Sequence, residues 1–190
     1  ASVDAALGGT PMDFDLAYAN DRPFLANVGA GFDADVVHVL HAHRQSLPEQ
    51  KSISMASYVP IGLRALSKHK AAKLHVTIDG KPLDITFADV VVCNTSNYGG
   101  ILSLTPAANP RDGQLDVYLR RRRGRVGILR HLASATFRWK DRGAVERLQG
   151  REIVIESDEP VPLQVDGDPA GFTPLRVHLG SQKIKILTPK

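Results

Sequence analysis

The stretch that decides the fold is residues 151–187, REIVIESDEPVPLQVDGDPAGFTPLRVHLGSQKIKIL. It contains four short apolar segments separated by Gly, Pro and Asp, namely residues 152–156, 163–166, 175–179 and 184–187. Short segments with turn residues between them are typical of strands in a sandwich or barrel, and not of a parallel α/β sheet. The stretch therefore predicts antiparallel β structure.

The residues before this stretch continue the β pattern and add helices. Strands are predicted over 73–78 and 115–120, and a buried strand is predicted within 83–94. The Asp79-Gly80 dipeptide is a strong signal for a turn after the first of them. Residues 24–31 predict a strand that runs into a tight, glycine-containing loop. Helices are predicted over 34–44, 57–69 and 125–138. The whole pattern predicts a mainly β fold: a two-sheet β-sandwich with two or three peripheral helices, forming one domain over residues 1–190.

Length and composition are those of an ordinary globular domain. The chain has 190 residues, of which 43% are hydrophobic and 23% charged. Its one cysteine, Cys93, cannot form an internal disulfide and follows three valines, as expected of a buried strand. No apolar run approaches the roughly 18 residues that a membrane-spanning helix needs. We therefore expect a reduced, cytoplasmic setting.

The positive charge is concentrated in one segment. Six of the 24 basic residues are arginines between 120 and 130, a segment that contains no acid. Without them the chain has 18 basic and 20 acidic residues, a net charge of −2. The sequence therefore predicts a local anion-binding patch (Arg120, Arg121, Arg122, Arg123, Arg125 and Arg130).

Four segments, taken in this order and spacing, resemble one family. They are residues 24–34 (FLANVGAGFDA), 90–94 with 97–100, 104–108 with 112–117, and 164–169 (QVDGDP). Together they are similar to the C-terminal domain of soluble lipid kinases in the diacylglycerol kinase and sphingosine kinase superfamily. The resemblance implies a two-domain enzyme, in which an N-terminal domain binds ATP through a Gly-Gly-Asp-Gly-Thr motif and the β domain supplies the lipid pocket.

That N-terminal nucleotide-binding domain is expected to lie outside this chain. The nearest sequence to its motif is Gly8-Gly9-Thr10, which lacks the Asp-Gly pair. We therefore expect the chain to be the substrate-binding half of an ATP- and Mg²⁺-dependent kinase that phosphorylates a lipid hydroxyl, with diacylglycerol as the expected substrate. The chain alone is expected to be inactive, and the nucleotide-binding domain would be its partner.

Asp166-Gly167-Asp168 matches the Asp-Gly-Glu of the family, with Asp in place of Glu. The resemblance implies that Asp166 is the general base and that Asp168 lies near the nucleotide and metal. On an extended chain two acids one residue apart would face the same side, about 7 Å apart. The alternative interpretation is a β-turn in which Asp and Gly serve the backbone only.

Two further groups of candidates follow from the resemblance. Asp112 and Asp116 correspond to acids that hold a structural Mg²⁺ ion, although Arg111 stands where some relatives carry another acid. A plain hairpin turn is the alternative interpretation. Asn27 and Gly29 are predicted either to contact phosphate groups of the nucleotide or merely to allow a tight bend.

The arginine segment leaves three interpretations open. Arg121, Arg122, Arg123 and Arg125 could bind anionic lipid headgroups, bind nucleic acid, or form a charged edge strand that discourages aggregation. We favour the lipid, because the substrate must be taken from a membrane, and expect no nucleic-acid partner. The protein is then cytoplasmic and peripherally membrane-associated. A non-catalytic lipid-binding or regulatory module and a nucleic-acid-binding regulator that uses Arg120–Arg130 are the alternative functions, and an exposed sheet edge could support a homodimer.

Overall fold

The computed structural model of the chain describes residues 8–46, 58–70, 73–98, 104–121, 124, 126–128 and 145–188. These residues form two antiparallel sheets of six strands each. The strands are β1 Thr10–Ala19, β2 Arg22–Phe24, β3 Asn27–Ala30, β4 Leu74–Ile78, β5 Lys81–Pro82, β6 Asp89–Cys93, β7 Leu115–Arg120, β8 Val145–Gly150, β9 Glu152–Ser157, β10 Pro162–Val165, β11 Asp168–Phe172 and β12 Leu175–Thr188. The strand order is β2-β1-β12-β9-β4-β5 in the first sheet and β11-β10-β3-β6-β7-β8 in the second. The helices are α1 Phe32–Gln45 and α2 Tyr58–Lys68. The predicted β-sandwich is confirmed.

The core lies between the two sheets, so alternate residues of a strand face it. Val90 and Val92 of β6 belong to the main hydrophobic cluster, which also contains Phe24, Phe87 and Ile155. Val91 and Cys93 of β6 pack on the opposite face of the second sheet, against Tyr118. β6 is therefore buried on both faces, and this is why its sequence is apolar at every position after Asp89.

The first helix covers one end of the second sheet. α1 packs against β3, β6, β10, β11 and α2. Asp33 and Asp35 lie in its first turn and His43 and Arg44 in its last turn, an arrangement that complements the helix dipole. No helix among the described residues is long and apolar enough to cross a membrane.

Several predicted boundaries are confirmed and others differ. The predicted strand 115–120 is β7, and Asp79-Gly80 joins β4 to β5. The buried strand predicted within 83–94 is β6, and the predicted segments 175–179 and 184–187 form one continuous strand, β12. Sequence analysis missed β1, β2, β5, β8 and β11. The predicted helix 125–138 lies almost entirely outside the described residues.

Candidate functional site

The Asp166-Gly167 pair forms a two-residue hairpin turn between β10 and β11. Val165 pairs with Asp168 across it, and both turn residues have positive φ, 49° at Asp166 and 85° at Gly167. Positive φ at both central positions is the type I′ geometry that Asp-Gly favours. The prediction that the strand ends and turns here is confirmed. The prediction of an extended chain at these residues is wrong, because the backbone reverses at Asp166-Gly167.

The Asp166 carboxylate is held by three backbone amides from the segment that precedes β3. Leu25 N donates to Oδ2 at 2.8 Å, and Ala26 N and Asn27 N each donate to Oδ1 at 2.9 Å. Asp166 N in turn donates to Asn27 O at 2.8 Å. An ionised carboxylate offers about four acceptor sites, so one site on Oδ2 is left for another donor. The fold therefore presents an exposed carboxylate in a fixed orientation.

A second Asp-Gly turn in the molecule has nearly the same local geometry. Asp79 and Gly80 have φ of 48° and 75°, and Asp79 Oδ1 accepts Arg151 N and Glu152 N at 2.9 Å each. Turn chemistry alone thus accounts for a carboxylate that binds backbone amides. What distinguishes the turn at Asp166 is its neighbourhood, since a second acid and a buried polar network adjoin it.

The second acid of the turn, Asp168, is largely exposed. Its Oδ2 forms an ion pair with Arg22 Nη2 at 3.2 Å, and 59% of the Asp168 side chain and 45% of the Arg22 side chain remain exposed. Such a surface pair contributes only about 0–1 kcal/mol, so Asp168 can exchange Arg22 for another cation at little cost. Sequence analysis did not single out Arg22.

Asn27 and Gly29, the predicted phosphate contacts, are buried in β3 and face other parts of the domain. Asn27 Oδ1 accepts Gln164 Nε2 at 2.9 Å. A Cβ on Gly29 would lie 1.9 Å from Asp33 Oδ2, so the absent side chain makes room for this carboxylate. Gly29 therefore serves a close approach between α1 and β3. Contact of Asn27 or Gly29 with a nucleotide stays a prediction.

Gln164 connects this network to the turn. Its Nε2 donates to Asp33 Oδ2 at 2.8 Å as well as to Asn27 Oδ1, and its Oε1 accepts Gly167 N at 2.9 Å. Gln164 is 1% exposed. Burial raises the pKa of Asp33 to about 7; the bond from Gln164 opposes this rise and the charge of Asp89 adds to it. Sequence analysis identified neither the link formed by Gln164 nor the burial of Asp33. A glutamine inside an apolar strand was the available signal.

The raised pKa gives Asp33 a testable effect on stability. The ordinary Asp value of 3.8 rises to about 7 in the fold, so the folded state binds more protons than the unfolded chain between these values. The free energy of unfolding should therefore fall as the pH rises from about 4 to 7, by at most about 4 kcal/mol from this residue. Asp33→Asn should remove this contribution and unfold at higher denaturant than the wild type at pH 8. Asp35→Asn, in the same helical turn, is the control, and equal pH slopes for wild type and Asp33→Asn would contradict the assignment.

A buried ion pair anchors the start of α1. Asp89 accepts Phe32 N through Oδ1 and pairs with Arg120 through Oδ2. Burial raises the pKa of Asp89, while Arg120 is the strongest of the opposing influences. Arg120 is only 3% exposed. Its placement in the predicted surface patch is therefore wrong: β7 pairs with β6 so that Arg120 lies opposite Asp89.

Of the four arginines assigned to lipid binding, the described residues include only Arg121. It is exposed and pairs with Glu146 at 2.6 Å, as expected beside an edge strand. Arg122, Arg123 and Arg125 lie outside the described residues. Their binding to anionic lipid stays a prediction.

The predicted metal ligands lie in and after the turn that precedes β7. Asp112 Oδ1 accepts Gln114 N at 3.0 Å, while the buried Asp116 accepts Gln149 Nε2 at 3.3 Å. Burial raises the pKa of Asp116, and the charge of Asp112 raises it further. Carboxylate oxygens suit Mg²⁺, which usually binds one or two protein carboxylates and keeps several waters. Binding of Mg²⁺ by Asp112 and Asp116 stays a prediction.

Asp15, a third acid near this turn, already has two partners. It is buried, accepts a hydrogen bond from Gly113 N at 2.8 Å and forms an ion pair with Lys183 Nζ at 2.8 Å. Within the described ranges there is no group of three or more His, Cys, Asp or Glu side chains that could hold a metal. The exposed Arg111 adds a positive charge beside the pair.

These features define a class: an antiparallel β-sandwich that presents a fixed carboxylate at a hairpin turn. The protein family described as "YegS C-terminal NAD kinase beta sandwich-like domain" matches residues 26–188. The chain belongs to this family.

Relatives and solved structures agree with this assignment. The chain is 28% identical over 177 residues to the "Probable lipid kinase YegS-like" of Pseudomonas putida, covering 93% of this chain and 56% of the relative. It is 27% identical over 171 residues to diacylglycerol kinase iota of Mus musculus, covering 80% of this chain and 16% of that protein. A crystal structure of a diacylglycerol kinase from Bacillus anthracis has the same fold, with a TM-score of 0.58 at 19% identity and coverage of 90% and 51%. The chain thus spans about half the length of the bacterial relatives. The lipid kinase family predicted from the sequence is confirmed.

Proposed function

We propose that this chain is the substrate-binding half of a lipid kinase, which transfers the γ-phosphoryl group of ATP to the hydroxyl of diacylglycerol. The observation that carries the proposal is the Asp166 carboxylate, held by three backbone amides at an exposed turn. Named relatives of the chain include a lipid kinase and a diacylglycerol kinase. ATP would be held by a nucleotide-binding domain outside this chain, facing the turn.

The chemistry asks for a group that takes the proton of a poorly nucleophilic alcohol. Asp166 is suited to this role, because its orientation is fixed and one acceptor site of Oδ2 is left by the backbone amides. Proton transfer from the lipid hydroxyl to Oδ2 would accompany attack on the phosphoryl group. The exposed Asp168 would act on the nucleotide or its cation in place of its weak pair with Arg22.

Mg²⁺ would supply charge neutralisation of the phosphate oxygens during transfer. Asp112 and Asp116 are the residues of this chain that would hold a structural Mg²⁺ ion. Such an ion would fix the loop between them and stabilise the ionised form of the buried Asp116, whose pKa the fold raises. These are roles in structure and binding, distinct from the proton transfer assigned to Asp166.

The experiment that tests the proposal uses a protein that joins this chain to a nucleotide-binding domain of the family, called here the two-domain protein. Transfer of radiolabelled phosphate from ATP is measured with diacylglycerol, a sphingoid base and a glycerol control in vesicles. We expect Mg²⁺-dependent labelling of diacylglycerol above the other two. Anionic lipid should raise the rate, and joint replacement of Arg121, Arg122 and Arg123 by Ser should remove this increase.

Three outcomes contradict parts of the proposal separately. Labelling of the sphingoid base in preference to diacylglycerol contradicts the substrate. If anionic lipid raises the rate of the triple variant as much as that of the wild type, the arginines do not bind the membrane as proposed. Binding of lipid without transfer to any acceptor favours the non-catalytic module instead.

A further inference from the structure

The Gln164 carboxamide joins the first turn of α1 to the hairpin turn that carries the two acids. Asp33 Oδ2 lies 2.8 Å from Gln164 Nε2, and Gly167 N lies 2.9 Å from Gln164 Oε1. Asn27 Oδ1, 2.9 Å from Nε2, takes the remaining amide proton. Both Nε2 protons and Oε1 of Gln164 are thus hydrogen-bonded. The carboxamide cannot rotate without losing its contacts with Asp33 and Asn27 on one side and with Gly167 on the other.

The strength of these bonds depends on the charge of Asp33. An ionised carboxylate is acceptor-only and accepts one Nε2 proton of Gln164 in a charge-assisted hydrogen bond, while the other Nε2 proton goes to Asn27 Oδ1. A protonated carboxyl can still accept through one oxygen, but this bond is no longer charge-assisted and the new O–H needs an acceptor of its own. Protonation of Asp33 would therefore weaken the hold on the carboxamide whose Oε1 accepts Gly167 N.

The pocket of Asp33 is costly for a negative charge. Gly29 admits the carboxylate only because it has no Cβ, and burial raises the pKa of Asp33 to about 7. An asparagine could accept the same bond from Nε2 through its oxygen without burying a charge. A charge that disfavours folding at neutral pH, beside a proposed catalytic turn, indicates a use other than stability.

Among the described residues, no side chain of opposite charge forms an ion pair with Asp33. β3 and β10 contribute no titratable side chain. β6 contributes Asp89, whose charge repels Asp33, and Cys93, whose pKa burial raises to about 12. The other elements packed against α1 contribute Asp168 of β11 and Arg64 and Lys68 of α2. The titratable side chains of α1 itself, besides Asp33, are Asp35, which is paired with His69, and His38, His41, His43 and Arg44.

We propose that Asp33 is a positioning residue for the turn that carries Asp166 and Asp168, that it acts through Gln164, and that its ionised form holds the turn more firmly than its protonated form. The structural part of the proposal, that Asp33 holds the turn through Gln164, rests on the contacts described above. The catalytic part, that this hold affects the reaction, rests also on the proposed function, because it assumes that the turn receives the lipid hydroxyl.

The structural part is tested on the 190-residue chain by NMR. The backbone amide resonance of Gly167 is followed from pH 5 to 9 in wild type, Asp33→Asn and Asp35→Asn. We expect the wild-type resonance to shift with a midpoint at about 7, the Asp35→Asn resonance to do the same, and the Asp33→Asn resonance to show no such step. A flat wild-type titration, or an unchanged step in Asp33→Asn, would overturn the inference.

The catalytic part is tested on the two-domain protein by its pH–rate profile. Wild-type kcat should rise with pH through about 7, Asp33→Asn should lose this step, and Asp35→Asn should keep it. Gln164→Leu, which removes all three contacts of the Gln164 side chain, should lower kcat at least about tenfold at pH 8 with the KM for ATP nearly unchanged. An unaltered step in Asp33→Asn, or a Gln164→Leu enzyme as active as wild type, would contradict this part. Because the Gly167 titration needs no activity, a protein without kinase activity would refute the proposed function and leave the structural part standing on its own result.

Discussion

Replacing Asp166 with Ala in the two-domain protein is expected to lower kcat by roughly 10²–10⁴, because the lipid hydroxyl loses the group that takes its proton. The loss should appear in kcat and kcat/KM alike, since proton transfer belongs to the transition state. The measurement is steady-state phosphorylation of diacylglycerol in mixed vesicles. The KM for ATP should change little, because in this account the nucleotide is bound by the other domain.

The substitution also has a structural cost that must be separated from the chemical one. Asp166 accepts the amides of Leu25, Ala26 and Asn27, so Ala leaves these donors to water. Asn is a poor neutral substitute here, because its NH₂ group would face at least one of the donating amides. A loss of stability of about 1–3 kcal/mol is therefore expected alongside the loss of activity.

Asp79→Ala is the matched control for this effect. Asp79 occupies a turn of the same type, with φ of 48° against 49° at Asp166, and accepts two backbone amides. Its substitution should lower stability by a similar amount and leave kcat within about threefold of wild type. Equal losses of kcat in Asp79→Ala and Asp166→Ala would show that Asp166 is a structural turn residue.

The largest loss of stability is expected from Asp89→Asn. Asp89 and Arg120 are both buried, and the Asn side chain would remove the negative charge that pairs with the guanidinium. Breaking a buried pair in this way costs about 3–5 kcal/mol in the free energy of unfolding. The same change weakens the acceptor that Phe32 N uses at the start of α1, so the helix that carries Asp33 should loosen first.

Urea denaturation of Asp89→Asn and Arg121→Gln compares a buried and an exposed pair on neighbouring residues. Arg121 directly follows Arg120, but it is exposed and its pair with Glu146 lies at the surface. Its loss should cost about 1 kcal/mol or less. If Asp89→Asn destabilises the domain no more than Arg121→Gln, the pair is not the anchor described here.

The parts of this molecule that local sequence determines were predictable. β7 and the turns at Asp79-Gly80 and Asp166-Gly167 follow from alternation and turn chemistry, and all three were located correctly. β11 was missed, because its residues DPAGF carry no strand pattern and only pairing with β10 across the turn makes them a strand. The two halves of β12 were separated at Gly180-Ser181, a pair that looks like a turn but lies inside a long strand.

The polar network depended on contacts that sequence cannot provide. Arg120 looked like one of a run of surface arginines, and only the register of β6 with β7 shows that it lies opposite Asp89. Asp33 looked like an ordinary acid at the start of a helix. Its role follows from the close approach that Gly29 permits and from Gln164, 131 positions later in the chain.

In the proposed enzyme this chain provides the lipid-binding half of the catalytic site, and ATP is held by the other domain. Phosphorylation of diacylglycerol is measured for the chain alone, for the nucleotide-binding domain alone and for the two-domain protein, each at the same concentration with Mg²⁺ and ATP. We expect transfer by the two-domain protein only. Transfer by the 190-residue chain alone, or no transfer to any lipid alcohol by a folded two-domain protein that binds ATP, would contradict it.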